Sequence, residues 1–391
     1  MKWVKWGPVM DYRLTPEHEL LRQTVREFAQ REVQPLAKKI DHDDWWPDAL
    51  VPKMADLGLL GVTVPEELGG AGLDTISYAI VVEELSRVSG SVGLSVAAHN
   101  SLGTQHIAQG GTKKQVETFV PPLAQGKKLG SWALTEPQAG SDAAGLETVA
   151  VKEGDGWSIS GQKQFITNGH IAHTFTVMAK TDPTKGVKGI TAFIVDKGTK
   201  GFTVGKKEDK LGCRGSPTSQ LYFDDCWVPT DRVIGDKLGE GFTGAMKTLD
   251  GGRISIGAMA LGLGEAAYAK SVEYSKQRHA FGGPISKLQA TQWKIADMRT
   301  KLDASRLLIN KAATMKDQGV PFGKEAAAAK LFASEVGMWA TTQAIQIHGG
   351  NGYIVDYEVE RYFRDVKLCE IGEGTSEVQR MVLAKHLGLR A

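Results

Sequence analysis

A chain of 391 residues, 41% hydrophobic and 24% charged, has the composition of a globular protein and room for about two or three domains. Its 47 Lys and Arg against 45 Asp and Glu give a formal charge of +2, which excludes a primary role in binding nucleic acid or another polyanion. The 3 cysteines, Cys213, Cys226 and Cys369, form no CxxC pair, so a disulfide framework is excluded and a reducing compartment is expected; no apolar run approaches the roughly 20 residues that span a bilayer.

Residues 1–9 differ in character from the remainder of the chain and are too short for a secretory signal; they read as an added extension, with Met10 opening the ordinary sequence. Thr15-Pro16 then supplies a cap and a first helical position, and Leu21, Val25, Phe28, Ala29 and Val33 carry an apolar stripe at helical spacing. Pro35, Trp45-Trp46-Pro47 and Gly69-Gly70-Ala71-Gly72 read as breaks, with helix again over 77–89 and 112–123. The character changes near Leu129. Thr148–Val151 and Trp157–Ser160 flank Gly154-Asp155-Gly156, a hairpin signal, and 174–179, 190–195 and 220–223 are further strands. After Gly241 the helical period returns: Ile295, Met298, Leu302 and Ile309 share one face, and 326–333 is alanine-rich. Helices, then strands, then helices argue for α+β architecture with a separate middle β domain, not a doubly wound sheet.

Several motifs have plain structural readings. Gly262-Leu263-Gly264-Glu265-Ala266-Ala267 matches a dinucleotide fingerprint but lacks a preceding strand, so close helix packing through small residues explains it better. His170 and His173 lack further ligands at metal spacing, and no metal site is expected. His348 reads as a cap or packing residue, and Cys213 and Cys226 as small apolar fillers. Three segments are more pointed. Thr135-Glu136-Pro137-Gln138-Ala139-Gly140-Ser141-Asp142 is a compact turn rich in amides and hydroxyls, suited to a flavin edge or a phosphate. Phe165-Ile166-Thr167-Asn168-Gly169 pairs an aromatic face with a hydroxyl. Gly372-Glu373-Gly374-Thr375-Ser376 sets a carboxylate between glycines, with Thr375 or Ser376 placed to cap a following helix.

Taken together, these segments resemble the acyl-CoA dehydrogenase family from about Leu14 to Leu389. The markers are Leu134-Thr135-Glu136-Pro137 with Ala139-Gly140-Ser141-Asp142, Phe165 to Gly169, Arg278 with Phe281-Gly282 and Gln289, Gln346 with Gly349 to Gly352, and Glu373-Gly374-Thr375-Ser376. The resemblance implies an N-terminal α domain (10–128), a middle β-barrel-like or orthogonal β-sheet domain (129–240) and a C-terminal four-helix-bundle domain (241–391). It implies FAD as cofactor and conversion of an acyl-CoA thioester to trans-2-enoyl-CoA, with Glu373 abstracting the α-proton and flavin N5 accepting the β-hydride. The N–H of Glu373 is then a donor to the enolate oxygen. An acyl-CoA oxidase-like enzyme and a non-catalytic flavoprotein of the same fold are the alternatives.

By position, the resemblance implies that Trp132, Leu134, Thr135, Gly140 and Ser141 lie along the flavin and the thioester, with Phe165 and Thr167 beside the ring. Arg278, Phe281, Gln289, Gln346 and Gly350 match residues that reach the FAD of a neighbouring subunit, and Thr375 and Glu377 match positions near the adenine. Ser141, Asp250, Arg253 and Gly374 are implied substrate contacts. Expected partners are an electron-transferring flavoprotein and three further copies in a homotetramer, built as a dimer of dimers. The expected location is the cytoplasm of a prokaryote, or the mitochondrial matrix if the source is a eukaryote. Some relatives carry the base at the position of Gly252, which here leaves Glu373 as the candidate. Gly372 stands where many straight-chain enzymes have tyrosine, so a larger acyl pocket beside the base is expected, unless the segment from His99 to Gly103 sets that wall.

Overall fold

A computed structural model describes residues 13–389; the reading of residues 1–9 lies outside the described residues. Helix α1 (Pro16–Phe28) opens on the expected cap: Thr15 Oγ1 accepts from the His18 N–H, and the His18 ring accepts from the Thr15 N–H. Pro35 breaks nothing. A π-helical stretch, Ala29–Val33, joins α1 to α2 (Gln34–His42), and Pro35 sits in the first turn of α2, where its missing N–H leaves no intrahelical acceptor short. After α3 (Leu50–Asp56), the helix read over 77–89 is α4 (Thr75–Ser86), which starts two residues earlier and stops three residues sooner, and a further helix, α5 (Gly90–Ala97), follows that the sequence reading lacks. Between them Ser89 turns extended, and its hydroxyl caps α5. Every residue of α4 and α5 is buried, so neither shows the one-sided period that reports helix ends. A second π-helical stretch, Ala98–Thr104, leads into α6 (Gln105–Gly110) and α7 (Lys113–Ala124).

The middle region is a curled seven-stranded sheet: β1 (Gly130–Ala133), β2 (Val149–Glu153), β3 (Gly156–Thr167), β4 (Thr174–Lys180), β5 (Ile190–Asp196), β6 (Phe202–Lys207) and β7 (Thr218–Pro229). The order is β1-β4-β2-β3-β7-β6, with β5 on β4; β1 runs parallel to β4, and the β2–β3 hairpin forms as read. Strands β1 and β6 carried no clear signal, one being short and the other half polar. One face of β4 and β5 buries Phe175, Val177, Phe193 and Val195 in the sheet core. The other buries Met178, Ile190, Ala192 and Ile194 against Ile107, Phe119 and Leu123 of the helices. Cys226 fills that first core and Cys213 the helical one, as their type predicts.

The chain then forms the 37-residue helix α8 (Gly241–Gln277), a ribbon of β8 (His279–Ala280) and β9 (Gly283–Pro284), and α9 (Gln289–Asp317), α10 (Gly323–His348), α11 (Val359–Ile371) and α12 (Ser376–His386). Helix α8 packs against α4, α5, α9, α10 and α11 and so runs through the centre of the helical layer. The Gly-x-Gly of α8 is a packing notch: a Cβ on Gly262 would lie 2.3 Å from the Glu83 carbonyl oxygen of α4. Beside it, Arg306 of α9 donates to Glu83 Oε2 of α4 at 2.5 Å and to Glu265 Oε1 of α8 at 2.7 Å, and Arg299 donates to Glu265 Oε1 at 2.8 Å. Both carboxylates are almost wholly buried.

Removing one partner of such a network strands charge away from water. Arg306→Met is expected to destabilise the protein by about 3–5 kcal/mol, read as a fall in the midpoint of thermal or urea unfolding. A surface change such as Lys113→Met (Lys113 is 89% exposed on its side chain) is the control and should leave the midpoint in place.

Candidate active site

Helix α11 ends where the Gly372 N–H bonds the Leu368 carbonyl at 2.8 Å, and α12 begins where Thr375 Oγ1 accepts from the Val378 N–H. Thr375, not Ser376, is therefore the cap. Only Glu373 and Gly374 are left to reverse the chain between them, and both are left-handed, at φ +53° and +91°. For a residue with a Cβ this costs of order 1–3 kcal/mol. The reversal aims the Glu373 carboxylate at α8. A Cβ built on Gly252 would fall 1.7 Å from Glu373 Oε2, so the carboxylate occupies the space that the missing side chain leaves. Oε2 is buried with no hydrogen-bond partner among the described residues, and no acceptor among them takes the Glu373 N–H.

Burial pushes the Glu373 carboxyl up to about 7, against the opposing pull of the Lys330 and Arg253 charges. The turn is held from behind. The Gly374 carbonyl accepts from Lys330 Nζ at 2.7 Å and from Gln379 Nε2 at 2.8 Å, and Gln379 Nε2 also reaches the Glu373 carbonyl at 3.2 Å. Arg253, 6% exposed, is ion-paired to Asp250 one turn earlier on α8.

A cleft of about 310 Å³ runs along this part of α8, with Thr248, Asp250 and Gly251 on one side and Tyr78, Asn100 and Ser101 on the other. Asn100 and Ser101, of the segment from His99 to Gly103, line this cleft, whereas Gly372 and Glu373 are not among its lining residues. Gly372 is half-buried with its side-chain space open, the nearest atom being the Leu368 carbonyl oxygen at 3.5 Å. Tyr78 and Asn100 escaped the sequence reading. Tyr78 lies in a helix buried all round, and Asn100 in a π-helical stretch with no sequence signature. Asn100 is committed to the fold, since its Nδ2 donates to the Leu59 and Val96 carbonyls and its Oδ1 accepts from the Val62 N–H.

The second group lies on the sheet. Beyond β1, Glu136 and Ala139 exchange backbone hydrogen bonds of 3.1 Å across Pro137-Gln138, closing the turn that presents Leu134, Thr135, Gly140 and Ser141. Lys163 of β3 is fully buried and donates to Glu136 at 2.6 Å and to the Leu134 carbonyl at 3.2 Å. Burial alone would raise the Glu136 carboxyl; Lys163 and the Glu147 N–H outweigh it and hold the group below its usual range. The β3–β7 register slips between Lys163 and Ile166, and this bulge throws Phe165 outward at φ +58° with 60% of the residue exposed. Thr167 follows at the strand end, where its carbonyl accepts from Ser131 Oγ at 2.6 Å. Trp132 is half-buried, its Nε1 donating to His106 at 2.9 Å. A bare aromatic face, Gly140 with nothing within 4 Å of its Cβ position, and an offered edge of backbone amides fit the ring system of FAD.

The third group is a surface. Arg278, Gln289, Gln346 and Gly350 lie at the ends of α8, α9 and α10, and Phe281, 94% exposed, lies in the turn of the β8–β9 ribbon between α8 and α9. The stacked rings of Tyr274 and His348 tie α8 to α10 there, at 4.2 Å between centroids. His348 thus packs, as read. Thr375 is half-buried by its capping role, and Glu377 is exposed. His170 and His173 accept or share hydrogen bonds with Ser219 and the Leu129 N–H, and among the described residues no cluster of ligands could hold a metal.

An α–β–α chain with an unpartnered carboxylate oxygen held against Gly252 of α8 and an open aromatic ledge on the sheet has the design of a flavin-dependent oxidoreductase. The comparisons agree. The N-terminal, middle and C-terminal domain descriptions of acyl-CoA dehydrogenase match residues 15–127, 131–226 and 239–388. The short-chain specific acyl-CoA dehydrogenase of Clostridium acetobutylicum is 50% identical over 96% of this chain and 99% of its own length. Butyryl-CoA dehydrogenase from Megasphaera elsdenii superposes with a TM-score of 0.95 at 45% identity, covering 97% of this chain and 100% of that one. A chain from the structure of the electron transferring flavoprotein of Acidaminococcus fermentans, described in terms of flavin-based electron bifurcation, also gives 0.95, at 46% identity over 98% and 100%. The chain belongs to the acyl-CoA dehydrogenase family, whose members are FAD-binding oxidoreductases.

The Gly252–Glu373 contact makes a sharp prediction. Gly252→Ala leaves no room for the carboxylate as placed, so the rate of flavin reduction by butyryl-CoA should fall at least about tenfold, with FAD content unchanged by absorbance. A wild-type rate would show that the carboxylate works from another position.

Proposed function

We propose that this chain dehydrogenates a short-chain acyl-CoA thioester between Cα and Cβ, with Glu373 as the base. The observation that carries this is the half-buried Glu373 side chain, whose carboxylate oxygen Oε2 is shut off from solvent without a hydrogen-bond partner among the described residues, with its pKa brought up to about 7. A base poised near the working pH combines a useful ionised fraction with a real proton affinity. Burial without neutralisation also keeps the carboxylate from being spent on a salt bridge.

The residues divide the work. Glu373 takes the α-proton onto a carboxylate oxygen. The unpartnered Glu373 N–H is the donor for the thioester oxygen as negative charge builds there, which ties base and oxyanion donor to one residue. Ser141, Asp250, Arg253 and Gly374 position the thioester and its CoA chain. Leu134, Thr135, Gly140 and Ser141 would hold one edge of the flavin, with Trp132, Phe165 and Thr167 against the ring and Thr375 and Glu377 toward the adenine. FAD, when bound, supplies the acceptor for the β-hydride. A short acyl group as substrate is supported by the names of the relatives. An electron-transferring flavoprotein as the next acceptor is supported by the similarity to the Acidaminococcus structure. A cytoplasmic site of action fits a described chain with no helix long and apolar enough to cross a membrane.

Glu373→Gln tests the assignment, since the amide is nearly isosteric and not basic. It should retain FAD and bind butyryl-CoA, yet reduce flavin about 10²–10⁴-fold more slowly. Reduction at the wild-type rate in stopped flow would remove Glu373 as base. In the wild type the rate should rise with pH and reach half its plateau near 7, because only the ionised carboxylate accepts the proton. Oxygen consumption in place of electron-transferring flavoprotein reduction would move the enzyme to the oxidase class.

The third group is read as an intersubunit surface. Arg278, Phe281, Gln289, Gln346 and Gly350 then reach the FAD of a neighbouring copy, within a tetramer. Support comes from the bare apolar residues around them, Phe281 at 94%, Tyr353 at 87% and Trp293 at 60% exposure. Arg278→Ala should lose FAD on gel filtration by removing a charge-assisted contact to phosphate. A monomer by analytical ultracentrifugation with full flavin content would overturn the reading.

A further inference from the structure

Lys330 of α10 stands directly behind the turn that carries Glu373. It is 0% exposed, among the largest fully buried side chains of the protein, and its one hydrogen bond among the described residues goes to a carbonyl, not to a carboxylate. A buried ammonium without a counter-ion is costly and needs a reason. That hydrogen bond, 2.7 Å to the Gly374 carbonyl, falls on the residue after Glu373, inside the left-handed pair that aims the carboxylate.

We propose that Lys330 is a positioning residue for Glu373: its Nζ fixes the reversed backbone through the Gly374 carbonyl, and its charge, held behind the turn, sets the proton affinity of the base. This rests on the reading of Glu373 as that base. Gln379 donates to the same carbonyl, so the backbone has two holders, one neutral and one charged. A neutral donor would suffice for a purely structural clamp. A lysine adds the charge at the cost of burying it.

The other groups around the site cannot substitute for that charge. Burial pushes the Cys369 thiol of α11 up to about 12, leaving it neutral, and raises the Tyr78 phenol of α4 as well. Arg253 of α8 acts in the same direction as Lys330 but is already paired with Asp250. Glu370, the remaining acid on α11 near the turn, is ion-paired to Lys367. Burial lowers Lys330 to about 8, above the value for Glu373, so the ammonium keeps most of its charge at the midpoint of the Glu373 titration, with Cys369 and Glu373 the leading opposing influences.

The test uses the FAD-loaded enzyme and the pH dependence of flavin reduction by butyryl-CoA. Lys330→Gln keeps a donor for the Gly374 carbonyl and removes the charge; Lys330→Met removes both; Lys330→Arg keeps both. Loss of the positive charge makes the carboxylate hold its proton to higher pH. The rate midpoint should therefore move up by about one pH unit in Lys330→Gln and Lys330→Met, and stay near the wild-type value in Lys330→Arg. The plateau rate should fall further in Lys330→Met than in Lys330→Gln, separating the clamp from the charge. If Lys330→Met fails to fold, the Gln and Arg variants still decide. An unmoved midpoint in Lys330→Gln, with Glu373→Gln inert, sinks the role of Lys330 and leaves the base in place. Activity in Glu373→Gln sinks both.

Discussion

A carboxylate that is to accept a proton near neutrality has to be kept out of water and kept from finding a partner, and these demands pull against the ordinary rules of folding. Buried carboxylates are normally paired, and this chain follows that rule elsewhere: Glu83 and Glu265 are held by Arg306, Glu84 by Arg26, and Glu136 by Lys163. Among the described residues Asp365 departs from it, with a backbone N–H of Cys213 as its donor, and Glu373 departs further, with no donor on either oxygen. Its isolation depends on a backbone turn that presents it over a glycine and on a carbonyl, not the carboxylate, taking the hydrogen bond from the nearby lysine. The strain at φ +53° and the unpaired oxygen are two parts of the same arrangement.

The rest of the helical layer serves that turn. Helix α8 brings Gly252, Asp250 and Arg253 beneath it, α10 brings Lys330 behind it, and α12 starts from Thr375 and returns Gln379 to it. The long buried contacts of α8 with α4 and α9 make this placement rigid, and the Arg306 network cross-links those helices beside the Gly262 notch. On the sheet, a similar economy holds. One buried lysine, Lys163, fixes the turn on one side, and the bulge two residues later exposes Phe165 on the other.

The helix–strand–helix order was legible because composition and period change at Leu129 and Gly241. So were the caps at Thr15 and Thr375, whose chemistry is local. What was not legible depends on neighbours. The end of α4 at Ser86 and the presence of α5 leave no period in the sequence where both helices are buried all round, and Pro35 reads as a stop until a π-helical stretch absorbs it. Glu373 was readable because glycines flank it and a cap comes directly after. Lys330 was not, since an alanine-rich helix gives no hint that its lysine points inward. Tyr78 and Asn100 likewise enter the cleft only through tertiary packing. The motifs that carry the family resemblance named the family that the domain matches show.

Gly252 has a consequence for how such a site can change over time. The Cβ position of residue 252 and the carboxylate of residue 373 claim the same volume. A side chain added at 252 would therefore meet the carboxylate in its present rotamer, and one of the two would have to turn away. On the proposed assignment, losing Glu373 first removes the base. A lineage moving the base from one position to the other has to turn one side chain aside, change both positions together, or pass through a period of relaxed selection, as after gene duplication. A single methyl group's worth of space thus separates two branches that share the same chemistry and the same fold.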